Sequence, residues 1–238
     1  LQKDLGIHDS TENLLAYLHE ALGPYGDNEK IRCYAEGAAA HFDWVESLGV
    51  SYKRAVMLER TVVPLSDESL LFTGNEKSYP FNTIAEPVTR GHVPSKEGDE
   101  GGKIFMDAIM QRVDEAGVDV VNDCRALALL ADNTGRICGV IAKHNNREIA
   151  IRATRGEDTA AGGLVMEEAI TRQYLPEIQQ YAVPYGNCYD IGDDIQLELA
   201  AGGQAINMDR DFMSYQLYAP AKLTYGLLLN QLGQRYIN

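Results

Sequence analysis

The stretch from Gly101 to Ala153 constrains the fold most, because its hydrophobic period changes at defined places. Gly101-Gly102 opens a helix whose Ile104, Phe105, Ala108, Ile109 and Val113 recur at three-to-four spacing, and Gly117 closes it. Four short apolar runs follow: VDVVN at 118–122, RALALLA at 125–131, RICGVIAK at 136–143 and REIAIRA at 147–153. Asp132-Asn133-Thr134-Gly135 and His144-Asn145-Asn146 separate the last three, and both are hairpin turn chemistry. The expected order is a helix, a parallel strand, then a three-stranded antiparallel meander over residues 124–153.

Other elements flank this core. Asp9-Ser10-Thr11-Glu12 offers a capping-box start for a helix carrying Leu14, Leu15, Leu18 and Leu22, which Gly23-Pro24 stops. Asp27 opens a longer helix with Ile31, Tyr34, Ala35, Ala38, Phe42, Val45 and Leu48 at helical spacing, and Gly49 takes the C-cap position. A short strand is expected at 50–52, and the Pro- and Gly-rich stretch 60–100 reads as a long ordered surface excursion. Further helices are expected at 166–175, before Pro176, and at 195–201, before Gly202-Gly203. The chain closes on GLLLN, the turn QLGQ and a strand RYIN. With no initiator Met and an abrupt end, both termini read as those of a fragment.

Charge narrows the partners. The 238 residues hold 35 Asp and Glu against 21 Lys and Arg, a net charge of -14 that repels phosphate backbones and anionic lipid. No apolar run approaches the ~18 residues of a membrane helix, and the first residues, LQKDLGIHDS, carry no secretory signal core. Cys33, Cys124, Cys138 and Cys188 form no CxxC pair, so neither a zinc site nor a disulfide framework is indicated, and a cytoplasmic location is expected. No metal-ligand spacing, phosphate loop or Ser/His/Asp arrangement occurs.

Several motifs, taken in order, carry a resemblance. They are Gly101-Gly102 with Ile104, Met106 and Ile109; GRICGVIA at 135–142; Arg155-Gly156 followed by Ala160-Ala161-Gly162-Gly163; Gly192-Asp193-Asp194-Ile195; Ala201-Gly202-Gly203-Gln204-Ala205; and GLLLNQLGQRYIN at the end. Together they resemble FAD-dependent oxidoreductases of the fumarate reductase/3-ketosteroid dehydrogenase superfamily. The opening LQKDLGIHDS and HFDWVESLGV are similar to its steroid-dehydrogenase-like subgroup. The resemblance implies a mixed α/β (α+β) fold. Residues 1–175 would be part of a Rossmann-like FAD-binding domain, helical over 1–100 with the meander layered on its core, and 176–238 the start of a capping domain.

The resemblance also implies chemistry. The cofactor would be FAD, and the substrate a small hydrophobic molecule such as a steroid, oxidised or reduced at a carbon–carbon bond next to a carbonyl. Gly101, Gly102, Gly162, Gly163 and Gly192 would let backbone approach the cofactor, Asp193 would lie beside the flavin, and Ala126 would meet the adenine end. Asp193 read by itself is equally an N-cap for the helix from Ile195, and Gly162-Gly163 a tight strand-to-helix turn. Tyr215 and Tyr218 are the candidates to polarise a carbonyl and take a proton, with domain packing as their alternative role. Arg210 without a neighbouring His argues against fumarate as substrate. His92 either faces the cofactor region or bonds to backbone.

Three departures from the superfamily pattern matter most. The GxGxxG fingerprint that holds the FAD pyrophosphate is absent. Glu157-Asp158 stands where a buried strand is expected, and unpaired carboxylates there would be costly. Asp194 replaces a glycine, so a positive φ or a relaxed turn is expected there, with Asp194→Gly stabilising. Glu198 and Asp211 also stand where small residues are usual. The alternative function is a catalytically silent, cofactor-free remnant of the same fold.

Overall fold

The computed structural model describes residues 1–58, 64, 66–72, 74–98, 100–177, 183–210, 226–227 and 229–235. They belong to two compact units, one built on Leu1–Val118 with the C-terminal residues from 217, the other on Asp119–Gln216.

In the first unit, α1 (Thr11–Leu22) starts where Ser10 Oγ accepts the Asn13 N–H at 3.1 Å. Helix α2 (Asn28–Ser47) starts at Asp27, whose carboxylate accepts the Glu29 and Lys30 N–H groups at 3.0 and 3.1 Å. Both caps satisfy donors that have no partner inside the helix. Asp27→Ala should therefore cost about 1 kcal/mol, read as a lowered urea midpoint with unchanged slope. Ile31, Ala35 and Val45 form the buried stripe of α2.

Strands β1 (Val56–Met57), β2 (Leu70–Leu71) and β3 (Gly91–His92) make a small sheet in the order β1-β2-β3, parallel then antiparallel. The short helix α3 (Phe81–Ile84) lies between β2 and β3. Val50, Met57, Leu70, Ala85 and Val88 are the buried core here. The strand expected at 50–52 does not form: the Ser51 carbonyl accepts Ser95 N–H, and Lys53 N–H goes to the Ser69 hydroxyl, so no ladder develops. Pairing begins at Val56 instead.

His92 packs against Phe42 of α2, ring centroids 4.5 Å apart, and Phe42 against Tyr52 at 4.9 Å. Its Nδ1 lies 2.8 Å from the Arg90 carbonyl. Burial pushes the imidazole below the usual histidine range, against the opposing pull of that carbonyl. A depressed folded pKa means that the unfolded chain takes the proton first. The contribution is thus complete above about pH 6.5 and falls as pH drops toward the folded value. Thermal melts between neutral pH and pH 5 should show this decline, and His92→Phe should flatten it.

Helix α4 (Gly101–Glu115) has its Ile104, Phe105, Ala108, Ile109 and Val113 half-buried, the face the sequence marks out. The parallel strand expected at 118–122 is absent, and Val118, Val120 and Val121 are exposed. A strand exists only through a ladder partner, and no described segment pairs with this one.

The second unit holds the meander. Strands β4 (Cys124–Ala131), β5 (Ile137–His144) and β6 (Arg147–Arg152) pair antiparallel in that order, with Leu129 opposite Val140 and Val140 opposite Ile151. Asn145 and Asn146 take φ 47° and 65°, the left-handed pair a two-residue hairpin needs. Asp132 Oδ1 accepts the Thr134 N–H at 2.8 Å and shapes the other turn. Helices α5 (Glu168–Tyr174) and α6 (Asp193–Ala200) follow. Near the C-terminus, Leu229 bridges Arg235 around a turn at Asn230, while 236–238 of the expected last strand lie outside the described residues.

Candidate functional site

The second unit brings together most of the residues marked by sequence. At its centre is the glycine loop 160–163, between β6 and α5. Gly162 has φ +96°, and a Cβ there would stand 2.3 Å from Asp190 Oδ1, so only glycine meets both conditions. Asp190 anchors the loop. Its Oδ1 accepts Gly163 N–H at 3.3 Å, its Oδ2 accepts Asn187 N–H at 2.8 Å, and its carbonyl accepts Met166 N–H at 2.9 Å. Gly192 N–H donates to the Gly163 carbonyl at 2.9 Å, which ties the loop to the start of α6. No atom lies within 4 Å of where a Gly163 side chain would stand, so the Cα face there is open while its N–H and carbonyl are bonded.

Asp193 is the first residue of α6 and not its N-cap: Gly192 takes that place at φ 73°, without a side-chain cap. The Asp193 carboxylate instead accepts Arg125 Nε at 3.0 Å and Nη2 at 3.1 Å. Arg125 is the second residue of β4, beside Ala126, which pairs with the buried Ala142. Ala126 and Asp193 are thus held at one edge of the unit. Asp194 does not hold a positive φ: it lies in the first turn of α6, and the left-handed conformation falls on Gly192. Two acids in a helix's first turn also suit its dipole.

The strand expected through 157–159 is not formed, which removes the conflict over its carboxylates. Asp158 is exposed and Glu157 half-buried, with one Glu157 oxygen desolvated and unpartnered. Gly162-Gly163 is accordingly a loop pinned by Asp190 rather than a strand-to-helix turn.

Gly101 and Gly102 belong to the first unit. Helix α4 starts there with Glu100 at the N-cap, whose carboxylate pairs with Lys96 and makes no capping bond, so the first-turn N–H groups are not capped by it. A Cβ at Gly101 would meet Pro94 at 3.2 Å, while Gly102 has open space. His92 is backbone-bonded, as described above. Tyr215, Tyr218 and Asp211 lie outside the described residues; Tyr185 and Tyr189 are exposed. Sequence reasoning missed Arg125 and Asp190. Asp190 could have been suspected from its position two residues before Gly192, whereas nothing local marks Arg125.

Among the described residues, no cluster of three or more His, Cys, Asp or Glu could hold a metal, and no helix is long and apolar enough to cross a membrane.

Comparison with known proteins places the chain's fold and family. The 3-ketosteroid-Δ4-(5α)-dehydrogenase of Rhodococcus jostii RHA1, solved with 4-androstene-3,17-dione, is 32% identical at a TM-score of 0.87 over 99% of this chain and 50% of that one. The chain thus spans about half the length of that relative. A flavocytochrome c3 fumarate reductase shares the fold at 20% identity and a TM-score of 0.65, over 84% of this chain and 31% of that one. A 3-ketosteroid Δ1-dehydrogenase of Sterolibacterium denitrificans does so at 15% and 0.59, over 86% and 46%. A family model described as an FAD binding domain matches residues 1–228, and the chain therefore belongs to this FAD-binding flavoprotein family, whose cofactor is FAD.

Proposed function

We propose that this chain is part of an FAD-dependent oxidoreductase that transfers hydride between the flavin and a carbon–carbon bond next to a carbonyl of a steroid-like substrate. One observation supports this most: the 32% identity and TM-score of 0.87 over 99% of the chain to a ketosteroid dehydrogenase. In this reading residues 1–175 are a partial FAD-binding domain and 176–238 the start of the capping domain.

The residues present fit one part of FAD. Gly163 leaves the space beside its Cα open, and Ala126 offers a small residue at the strand edge that would meet the adenine. The phosphates are less well served. Asp190, Asp193, Asp194 and Glu198 gather here, Arg125 is engaged by Asp193, and the sequence has no GxGxxG. FAD, when bound, supplies the hydride acceptor. The substrate's carbonyl would be polarised, and its departing proton taken, by Tyr215 and Tyr218.

Titration with FAD, followed by flavin fluorescence, should give a Kd weaker than ~1 μM for the 238-residue chain. Stoichiometric sub-micromolar binding would contradict the reading that the phosphate-holding part is missing. With excess FAD and no oxygen, a saturated 3-ketosteroid should bleach the visible flavin absorption and succinate should not. The acids around the loop favour a second reading, a cofactor-free member of the family, for which saturating FAD would leave the protein's spectra unchanged.

A further inference from the structure

Asp190, Asp194 and Glu198 are spaced four residues apart; the first two are bonded to the glycine loop and Glu198 to Thr159 just before it. Glu198 Oε1 accepts the Thr159 hydroxyl, Asp194 Oδ2 accepts Ala161 N–H at 3.3 Å, and Asp190 Oδ1 accepts Gly163 N–H at 3.3 Å. Asp194 Oδ1 also accepts Ile195 N–H at 2.9 Å, which fixes its rotamer at the helix start.

The spacing has a geometric reason. Four residues of helix rise about 6 Å, and two residues of extended chain rise about 6.6 Å. Asp194 and Glu198, one turn apart on α6, therefore meet Ala161 and Thr159 on a segment that runs antiparallel to the helix, while Asp190 precedes the helix and reaches Gly163 from the loop. Ala161 and Gly163 are held through their backbone N–H groups and Thr159 through its hydroxyl. A merely solvated acidic face would not show this correspondence, and like charges at i,i+4 disfavour a helix.

We propose that Asp194 and Glu198, together with Asp190, are positioning residues: they hold 159–163 in place and keep the Cα face of Gly163 open for the cofactor. This rests on the reading of the loop as a flavin-side element. The acids at 194 and 198, which depart from the superfamily pattern, are in this view what shapes the loop.

Amide hydrogen exchange by NMR, with FAD titration of the same 238-residue proteins, tests it. In Asp194→Ala, Ala161 N–H should exchange about tenfold faster or more, while the β5 amides keep their protection and report an intact fold. Asp194→Asn retains an acceptor and should stay within about threefold of the parent. The FAD Kd should rise at least about fivefold in the Ala variant and stay within about twofold in the Asn variant. Should Asp194→Ala not fold, Glu198→Ala is read in the same way, with Ala161 exchange about two- to threefold faster because Thr159 is released.

Unchanged Ala161 exchange in a folded Ala variant overturns the proposal. Faster exchange with an unchanged Kd reduces the contacts to a structural role and overturns the positioning claim. A parent chain that does not respond to FAD removes the functional reading, and the positioning role with it, whatever the exchange result.

Discussion

Arg90→Ala should destabilise the first unit by about 3–5 kcal/mol, read as a lowered urea midpoint. Arg90 and Asp9 form a two-pronged pair at 2.7 and 3.0 Å, and each side chain is only 11% exposed. Removing the guanidinium strands a buried carboxylate, which costs far more than losing a surface ion pair. Asn13 donates to the same carboxylate at 2.7 Å, and Arg90 lies over the Tyr17 ring, so the loss spreads into α1. The joint replacement of Asp9 and Arg90 by leucine should recover most of the stability, because no lone charge remains. A cost below about 1 kcal/mol for the single variant would show that water reaches the pair.

The same pair sets an acid dependence. Burial alone would raise the Asp9 pKa, but the hydrogen bonds from Arg90 and Asn13 outweigh it and hold the carboxyl below its ordinary range. Its contribution is present above about pH 3.9 and is lost as pH falls through the lower folded value.

Gly139→Ala should cost the second unit about 3 kcal/mol. Gly139 lies in the central strand β5, and a Cβ there would stand 2.3 Å from the Ile151 carbonyl oxygen and 3.3 Å from the Arg152 Cα. Both are backbone atoms of β6, so no flexible side-chain end can give way. Relief requires β5 and β6 to part, and with them the pairing of Val140 with Ile151. Gly156→Ala is the control: nothing lies within 4 Å of the added carbon, and the effect should stay within about 0.5 kcal/mol. Equal effects at the two glycines, by thermal and urea unfolding, would mean that β6 is not held as closely as the register implies.

These residues also show what the sequence could reveal. The meander was legible because turn chemistry and strand composition agree locally at Asp132–Gly135 and Asn145-Asn146. The helix starts at Ser10 and Asp27 were legible for the same reason, a side chain acting within three residues of itself. Residues 118–122 misled because apolar composition permits a strand, whereas only a partner makes one. Asp9 with Arg90, and Arg125 with Asp193, escaped because the partners are 81 and 68 residues apart. The acid at 194 looked like damage to a glycine turn, but the left-handed residue is Gly192, and Asp194 is an acceptor for Ala161. Replacing Asp194 with glycine should therefore loosen the loop rather than stabilise it.

The central claim is that the glycine loop and the edge of β4 meet FAD. The most direct test is an amide-resolved NMR titration of the 238-residue chain with FAD. Saturable shifts should concentrate at Ala126, Gly162, Gly163, Gly192 and Asp193, with a dissociation constant weaker than ~1 μM. Shifts that never saturate, or that leave Gly162, Gly163 and Ala126 unmoved while other residues respond, would contradict it.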